Sequence, residues 1–127
     1  MLELCRLADI PDGGARGFAV EGPDLAQRLV VARLGSRIFG YVNLCPHALS
    51  RLDSEIGQFF EYDDSSHLFC DSHAALFRVE DGVCIEGPCE GQALTPAAIK
   101  LIGDRVCLDQ PNVARVDEIS KVLSDLR

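Results

Sequence analysis

Hydrophobic residues occur along most of the chain in short runs that are separated by turn-forming residues. The runs cover 17–20, 28–34, 37–42, 67–70, 74–79, 98–102 and 105–108. Gly35 and Gly103 open the connections within two pairs of consecutive runs, and glycine tolerates the positive φ that a tight hairpin turn requires. Short runs at this spacing predict an all-β protein, a small antiparallel β sandwich or barrel.

The end of the chain follows a different period. Its apolar residues recur at helical spacing, at Val113, Val116, Ile119, Val122, Leu123 and Leu126. This spacing predicts one amphipathic C-terminal helix over residues 112–126, since side chains three and four positions apart share a helix face. We expect its apolar face to pack on the sheet, and docking on a partner protein is the alternative.

Size and charge narrow the function classes. A chain of 127 residues fits one domain, and none of its apolar runs is long enough for a transmembrane helix. The formal net charge of −8 disfavours binding to nucleic acid or to an anionic membrane, because like charges repel. The first residues show no basic lead followed by an apolar stretch, so we expect a cytoplasmic protein.

Two cysteine–histidine pairs carry the most specific chemistry in the sequence. Cys45-Pro46-His47 is a C-x-H box, and Cys70-Asp71-Ser72-His73 is a C-x-x-H box. Two such loops, brought together, present two thiolate sulfurs and two imidazole nitrogens, which suits zinc or a mixed-ligand iron–sulfur cluster. A structural zinc module remains one hypothesis, although its usual spacings pair like ligands. One cysteine and one histidine in each box favour a cluster with two different irons.

The two boxes resemble the ligand motifs of Rieske [2Fe–2S] proteins, and the similarity extends from about Leu4 to Leu108. This resemblance implies a Rieske-type [2Fe–2S] cluster in which Cys45 and Cys70 bind the inner iron, and His47 and His73 bind the outer iron. His67 is a rival ligand before Cys70, but His73 completes the better match, so we interpret His67 as a surface or hairpin histidine.

The resemblance also implies how the single domain, 1–127, is organised. Residues 1–43 and 77–110 would form a base, and residues 44–76 would form the cluster-binding subdomain. The predicted terminal helix lies outside the resemblance. The boxes are 22 residues apart, which is longer than the usual gap in the family, and we assign the surplus to a hairpin near residues 60–67.

Two departures from the Rieske proteins of respiratory and photosynthetic complexes concern hydroxyl groups. Those proteins carry a serine and a tyrosine after the second histidine, and these residues donate hydrogen bonds to cluster sulfurs. The corresponding positions here are Ala75 and Phe77, which have no hydroxyl. Fewer donors stabilise the reduced cluster less, so we expect a reduction potential near the lower end of the Rieske range, about −150 mV.

The remaining cysteines have more ordinary interpretations. Cys5 and Cys107 lie in predicted strands and are expected to be small core residues. Cys84 and Cys89 flank the position of the proline loop that covers the cluster in the family, with Pro88 as its proline. The sequence leaves open whether these two cysteines form a disulfide, which is uncommon in a reducing compartment.

As to function, the resemblance implies a soluble one-electron carrier, not itself an enzyme, that passes electrons from a reductase to a terminal oxygenase or similar acceptor. The segment 52–77 has acidic residues and no lysine or arginine. Its acidic residues are Asp53, Glu55, Glu61, Asp63, Asp64 and Asp71. We interpret them as a docking rim for partners with basic surfaces. The alternative is a Rieske-type small subunit of a larger oxidoreductase such as assimilatory nitrite reductase.

Overall fold

The computed structural model describes residues 1–22, 25–44, 52, 67–70, 75–110 and 114–116, with the backbone alone at 22, 25, 26 and 114–116. The strands are β1 (Leu2–Arg6), β2 (Ala15–Gly22), β3 (Leu25–Leu34), β4 (Arg37–Val42), β5 (His67–Cys70), β6 (Ala75–Arg78), β7 (Cys84–Glu86), β8 (Ile99–Ile102), β9 (Arg105–Leu108) and β10 (Ala114–Val116). A single-turn 3₁₀ helix, Leu7–Asp9, follows β1. Every pairing of these strands is antiparallel, and the described residues include no α-helix, which confirms the predicted all-β class.

The strands form three small sheets. Their orders are β1-β9-β8, β10-β2-β3-β4 and β5-β6-β7. Both hairpins predicted from their glycines are present, since Gly35 connects β3 to β4 with φ 63° and Gly103 connects β8 to β9 with φ 62°. The sequence therefore located these two turns correctly from glycines that connect consecutive apolar runs.

Strand β3 separates two hydrophobic core clusters. Its residues Val30 and Ala32 belong to a first cluster that also contains the buried residues of the β5-β6-β7 sheet. Leu29 and Val31 point the other way, into a second cluster with β1 and β9. Because side chains alternate along a strand, an uninterrupted apolar run such as 29–32 is buried on both faces.

The sheet of β4 is joined to the sheet of β8 by a close backbone approach. The N–H of Ala97 donates to the carbonyl oxygen of Gly40 at 3.0 Å. A Cβ atom at Gly40 would lie 2.1 Å from Cγ1 of Ile99, so only glycine allows this approach. The absence of a side chain at Gly40 thus lets β8 pack against β4.

The end of the chain differs from its prediction. The prediction of a helix over 112–126 is wrong at Ala114–Val116. These residues form β10 and pair with β2 between Ala19 and Glu21. Pairing satisfies backbone groups of β2 that would otherwise lie unpaired at a sheet edge, and this long-range gain outweighs a local helical period. Residues 117–127 of the predicted helix lie outside the described residues. Within the described part of the chain, no helix is long and apolar enough to cross a membrane.

Candidate metal centre

Cys70 is the predicted ligand whose position the structure describes. It is the last residue of β5, its side chain is fully buried, and it lies opposite Ala75 of β6. Leu68 and Phe77 are buried on the same face of the sheet, two residues along their strands. The Cys70 thiol therefore lies at the end of an apolar sheet face, at the point where the chain enters the second box.

The first box begins where β4 ends. The side chain of Asn43 is fully buried, and its Oδ1 accepts a hydrogen bond from the N–H of Leu52 at 2.9 Å. The N–H of Asn43 donates to the carbonyl oxygen of Arg28 in β3 at 2.9 Å, which fixes the start of the segment to the sheet. Asn43 and Leu52, which lie on either side of the segment that carries Cys45 and His47, are thus joined by one buried side-chain hydrogen bond.

Residues that adjoin the two boxes in the sequence belong to one core cluster. Leu52, which ends the first tied segment, and Cys70, which begins the second box, are both fully buried members of it. Tyr41, two residues before Asn43, belongs to the same cluster. A single apolar cluster therefore holds the flanks of both boxes, which is the arrangement that two loops sharing one metal centre require.

The other three predicted ligands, Cys45, His47 and His73, lie outside the described residues, as do the acidic residues proposed for the docking rim. The donor chemistry of the four residues nevertheless fits a Rieske cluster, since two thiolates and two imidazoles are its complete protein ligand set. Cys70 fits the inner position, because a buried thiol in an apolar environment is screened from water. The assignment of all four ligands remains a prediction.

His67 lies on β5 together with Cys70 but on the other face of the strand. It is half-buried and pairs across the sheet with the exposed Arg78, whereas Cys70 points into the core. Residues that are three positions apart on a strand point to opposite faces. His67 and Cys70 therefore cannot bind one metal ion while both remain in β5, which agrees with the interpretation of His67 as a hairpin histidine.

Tyr41 links the β4 sheet to the turn that follows β6. Its hydroxyl donates a hydrogen bond of 2.6 Å to the carbonyl oxygen of Val79, and the side chain is buried. Burial, followed by the nearby carboxylates of Asp81 and Glu80, raises the pKa of Tyr41 to about 12. The raised pKa keeps the phenol in its neutral form, which donates to Val79.

The turn from β6 to β7 is held by an aspartate, as its Asp81-Gly82 sequence predicts. The carboxylate of Asp81 accepts hydrogen bonds from the Arg78 guanidinium at 2.6 and 3.1 Å and from the N–H of Val83 at 3.0 Å. The hydrogen bonds from Arg78 and then from Val83 hold the pKa of Asp81 below its ordinary value. Gly82 has φ 72° and lies against the ring of Tyr41.

Sequence reasoning missed Asn43 as the support of the first ligand segment and Tyr41 as the link to the turn after β6. Their signal is weak, because a polar residue at a strand end is ordinary until the structure shows that it is buried. The sequence correctly predicted that Cys5 and Cys107 lie in the core, where the exposed fractions of these residues are 7% and 6%. The predicted proline loop at Pro88 forms a turn, in which the N–H of Glu90 donates to the carbonyl oxygen of Gly87 at 3.2 Å, and its role as a cover over the cluster stays a prediction.

Comparisons with known proteins agree with this geometry. A family model of the Rieske [2Fe–2S] domain matches residues 1–112. The fold is similar to the structure of a Sphingomonas yanoikuyae B1 ferredoxin, with 26% identity, a TM-score of 0.64, and 87% of this chain and 98% of that chain covered. It is also similar to the ferredoxin of carbazole 1,9a-dioxygenase from Nocardioides aromaticivorans IC177, with 20% identity, a TM-score of 0.65 and coverages of 84% and 94%.

A third similar structure is a complex of reduced oxygenase and oxidised ferredoxin in carbazole 1,9a-dioxygenase. The matched chain has 22% identity and a TM-score of 0.63, and the match covers 83% of this chain and 88% of that one. No curated protein sequence matches the chain. The structural matches establish a common fold, and the family model extends over nearly all of the strands described above.

Proposed function

Because the chain belongs to the Rieske [2Fe–2S] family, we propose that it is a one-electron carrier that passes electrons from a reductase to a terminal oxygenase or a similar acceptor. The structural observation that carries this proposal is the shared anchoring of Leu52 and Cys70 in one buried cluster. The similar ferredoxins support it further, since one of them is named for an oxygenase system.

The ligands in this proposal are Cys45 and Cys70 for one iron and His47 and His73 for the other. When bound, a cluster of this type supplies reversible one-electron transfer at a potential set by its ligands and surroundings. Cys70 contributes a thiolate that is buried against the apolar face of β5 and β6. Asn43 and Leu52 hold the two ends of the first ligand segment at a fixed distance.

A free carrier is favoured over a small subunit of a larger oxidoreductase such as assimilatory nitrite reductase. The two ferredoxins described above are matched over 98% and 94% of their own lengths. This chain therefore matches nearly the whole of two such ferredoxins, which supports a carrier role like theirs. The carrier role includes no substrate turnover by the protein itself, and the electron acceptor performs the chemistry.

The partners in this proposal are a reductase and a terminal oxygenase with basic surfaces, in the cytoplasm. The net charge of −8 and the acidic segment 52–77 support such partners, because opposite charges accelerate encounter without demanding high affinity. We expect the rate of electron transfer from the reductase to fall as the salt concentration rises from 0.05 to about 0.5 M, where charges are screened within a few ångströms. A rate that is independent of salt would contradict the acidic docking rim.

The cluster is tested by visible and electron paramagnetic resonance spectra of anaerobically purified protein, before and after dithionite. We expect a reddish protein whose reduced form gives a signal of low average g, as mixed cysteine and histidine ligation requires. A colourless protein with stoichiometric zinc and no iron would overturn the proposal in favour of a structural zinc module.

The ligands are tested by matched variants. Cys70→Ser should lose the visible spectrum and the iron, whereas Cys107→Ser, which changes another buried cysteine in a strand, should keep both. In the same way, His73→Ala should lose the spectrum and His67→Ala should keep it. Iron retained in Cys70→Ser, or lost equally in both variants of a pair, would contradict the ligand assignment.

A further inference from the structure

Two cysteines outside the proposed ligand set lie in direct contact. Cys84 is the first residue of β7, and Cys89 lies in the turn that follows this strand. The S–H of Cys89 donates to the Sγ atom of Cys84 at 3.2 Å, and the S–H of Cys84 donates to the carbonyl oxygen of Glu86 at 3.2 Å. Both side chains are buried, with exposures of 1% and 0%. No disulfide joins the two sulfurs in this structure.

The backbone around the pair already holds the two residues in a closed loop. The N–H of Cys84 donates to the carbonyl oxygen of Gln92 at 2.7 Å, and the N–H of Gly91 donates to the carbonyl oxygen of Cys84 at 3.1 Å. The N–H of Gln92 donates in turn to the carbonyl oxygen of Cys89 at 2.9 Å. A disulfide of about 2.05 Å therefore needs the two sulfurs to approach by only about 1.2 Å, within a loop that is already closed.

A metal ion fits this pair less well than a disulfide. Two thiolates on one tetrahedral zinc ion, with Zn–S bonds of about 2.3 Å, lie roughly 3.8 Å apart. The sulfurs of Cys84 and Cys89 are closer than that. In the part of the chain that the structure describes, no group of three or more histidine, cysteine, aspartate or glutamate side chains is arranged to hold a metal ion. The contact distance thus favours a bond between the sulfurs.

The two thiols differ in access. Cys89 stands between Pro88 and Glu90, which are both exposed at the surface of the turn. Cys84 lies on the buried face of the sheet, where it pairs with Phe77 of β6. A small oxidant that enters when the turn opens locally meets Cys89 first, because turn residues open more readily than strand residues.

We propose that Cys84 and Cys89 form a thiol oxidation site that converts reversibly between dithiol and disulfide, with hydrogen peroxide as its oxidant. The Cys89 thiol attacks one peroxide oxygen, the O–O bond breaks, and Cys89 becomes a sulfenic acid with release of one water. The Cys84 thiol then attacks the Cys89 sulfur, the S–O bond breaks, and the disulfide forms with release of a second water. Two electrons leave the two sulfurs and reduce one peroxide.

This site is a neighbour of the proposed metal centre and is separate from it. Cys70 and Cys84 lie on the same buried face, two strands apart and two residues apart along the strand direction. Strand spacings of about 4.8 Å and rises of about 3.4 Å place their Cα atoms about 12 Å apart. Oxidation of the pair therefore takes place in the core cluster that contains Cys70 without consuming a ligand.

The test uses the purified protein with its metal centre intact. It is treated anaerobically with one equivalent of hydrogen peroxide, alkylated and digested with trypsin. Cleavage after Arg78 and Lys100 releases residues 79–100, in which Cys84 and Cys89 are the only cysteines. We expect this peptide to lose two hydrogens, to escape alkylation, and to regain both alkylation sites after dithiothreitol. The visible spectrum is recorded throughout, and disulfide formation should precede any loss of it.

Variants distinguish this order of events from unspecific oxidation. In the presence of dimedone, which traps sulfenic acids, Cys84→Ala should carry an adduct on Cys89, and Cys89→Ala should carry none. Cys107→Ala, which removes a buried thiol of β9 that donates to the carbonyl oxygen of Arg105, should form the disulfide as the unchanged protein does. A peptide that stays fully alkylated, a disulfide that appears only as the visible spectrum is lost, or an adduct on Cys84 would overturn the proposal.

Discussion

The Oδ1 atom of Asn43 accepts a hydrogen bond from the backbone N–H of Leu52 at 2.9 Å, and both residues are fully buried. This contact closes the segment in which Cys45 and His47 lie. We expect Asn43→Ala to lower the free energy of unfolding by about 1–3 kcal/mol, because a buried N–H loses its acceptor. The iron content of the purified protein should fall as well, since the first ligand segment is no longer held at both ends.

Tyr41→Phe is the matched control for this variant. It also removes one buried hydrogen bond, from the hydroxyl to the carbonyl oxygen of Val79, but it leaves the Asn43 contact in place. Chemical denaturation and iron analysis should therefore show a comparable loss of stability in both variants and a loss of iron in Asn43→Ala alone. Equal iron contents would mean that the Asn43 contact serves stability and not the ligand segment.

Tyr41 makes stability depend on pH in the alkaline range. Its pKa is raised from 10.0 to about 12 in the folded protein, chiefly by burial. The unfolded chain therefore loses this proton at a lower pH than the folded protein does. The raised pKa contributes about 3 kcal/mol, as an order of magnitude, to the free energy of unfolding. This contribution is fully present below pH 10 and is lost as the pH rises through 12.

The measurement is the free energy of unfolding between pH 8 and 12 for the unchanged protein and for Tyr41→Phe. The difference between the two proteins should shrink above pH 10 as the phenol of the unfolded chain ionises. Tyr62→Phe, which changes the second tyrosine of the chain, serves as the control. A difference that stays constant over this range would contradict a raised pKa at Tyr41.

Gly82 and Gly103 have similar backbones but different surroundings. Their φ values are 72° and 62°, yet a Cβ at Gly82 would lie 2.7 Å from Cε1 of Tyr41, whereas a Cβ at Gly103 would meet open space. Gly103→Ala should cost about 1–2 kcal/mol from its left-handed backbone alone. Gly82→Ala should cost about 1–3 kcal/mol more, because the ring of Tyr41 must move. Thermal and denaturant unfolding of both variants test the close contact. Equal losses of stability in Gly82→Ala and Gly103→Ala would contradict it.

The reduction potential depends in our proposal on the missing hydroxyl at Ala75. This residue is fully buried on β6, opposite Cys70. We expect the unchanged protein to titrate near −150 mV, the lower end of the Rieske range. Ala75→Ser should raise the potential by about 40 mV if the new hydrogen bond favours the reduced state by about 1 kcal/mol.

Ala98→Ser, at an exposed position, should leave the potential unchanged and is the control for Ala75→Ser. Redox titration followed by the visible spectrum provides the measurement for all three proteins. A potential of +100 mV or more for the unchanged protein would contradict the argument from missing donors, since that value lies well inside the range of about −150 to +300 mV.

Local signals in the sequence were sufficient for the hairpins and the all-β class, and they are also the basis of the ligand assignment, which stays a prediction. Gly35 and Gly103 mark their turns because positive φ is a property of one residue and its neighbours. Cys45-Pro46-His47 and Cys70-Asp71-Ser72-His73 are recognisable because ligand type and spacing are written in the chain itself. The apolar run 28–34 also predicted a strand, and its residues 29–32 are buried on both faces of β3.

The tertiary structure decided the features that depend on distant partners. The segment Ala114–Val116 is a strand because its backbone pairs with β2, and the local spacing of apolar residues contains no information about this distant partner. The burial of Asn43 and Tyr41, and the contact between the thiols of Cys84 and Cys89, arise only when separate strands and turns pack together. The sequence by itself determined which donor atoms this protein carries. Folding decided which of these atoms come into contact, because contacts between distant residues depend on tertiary packing.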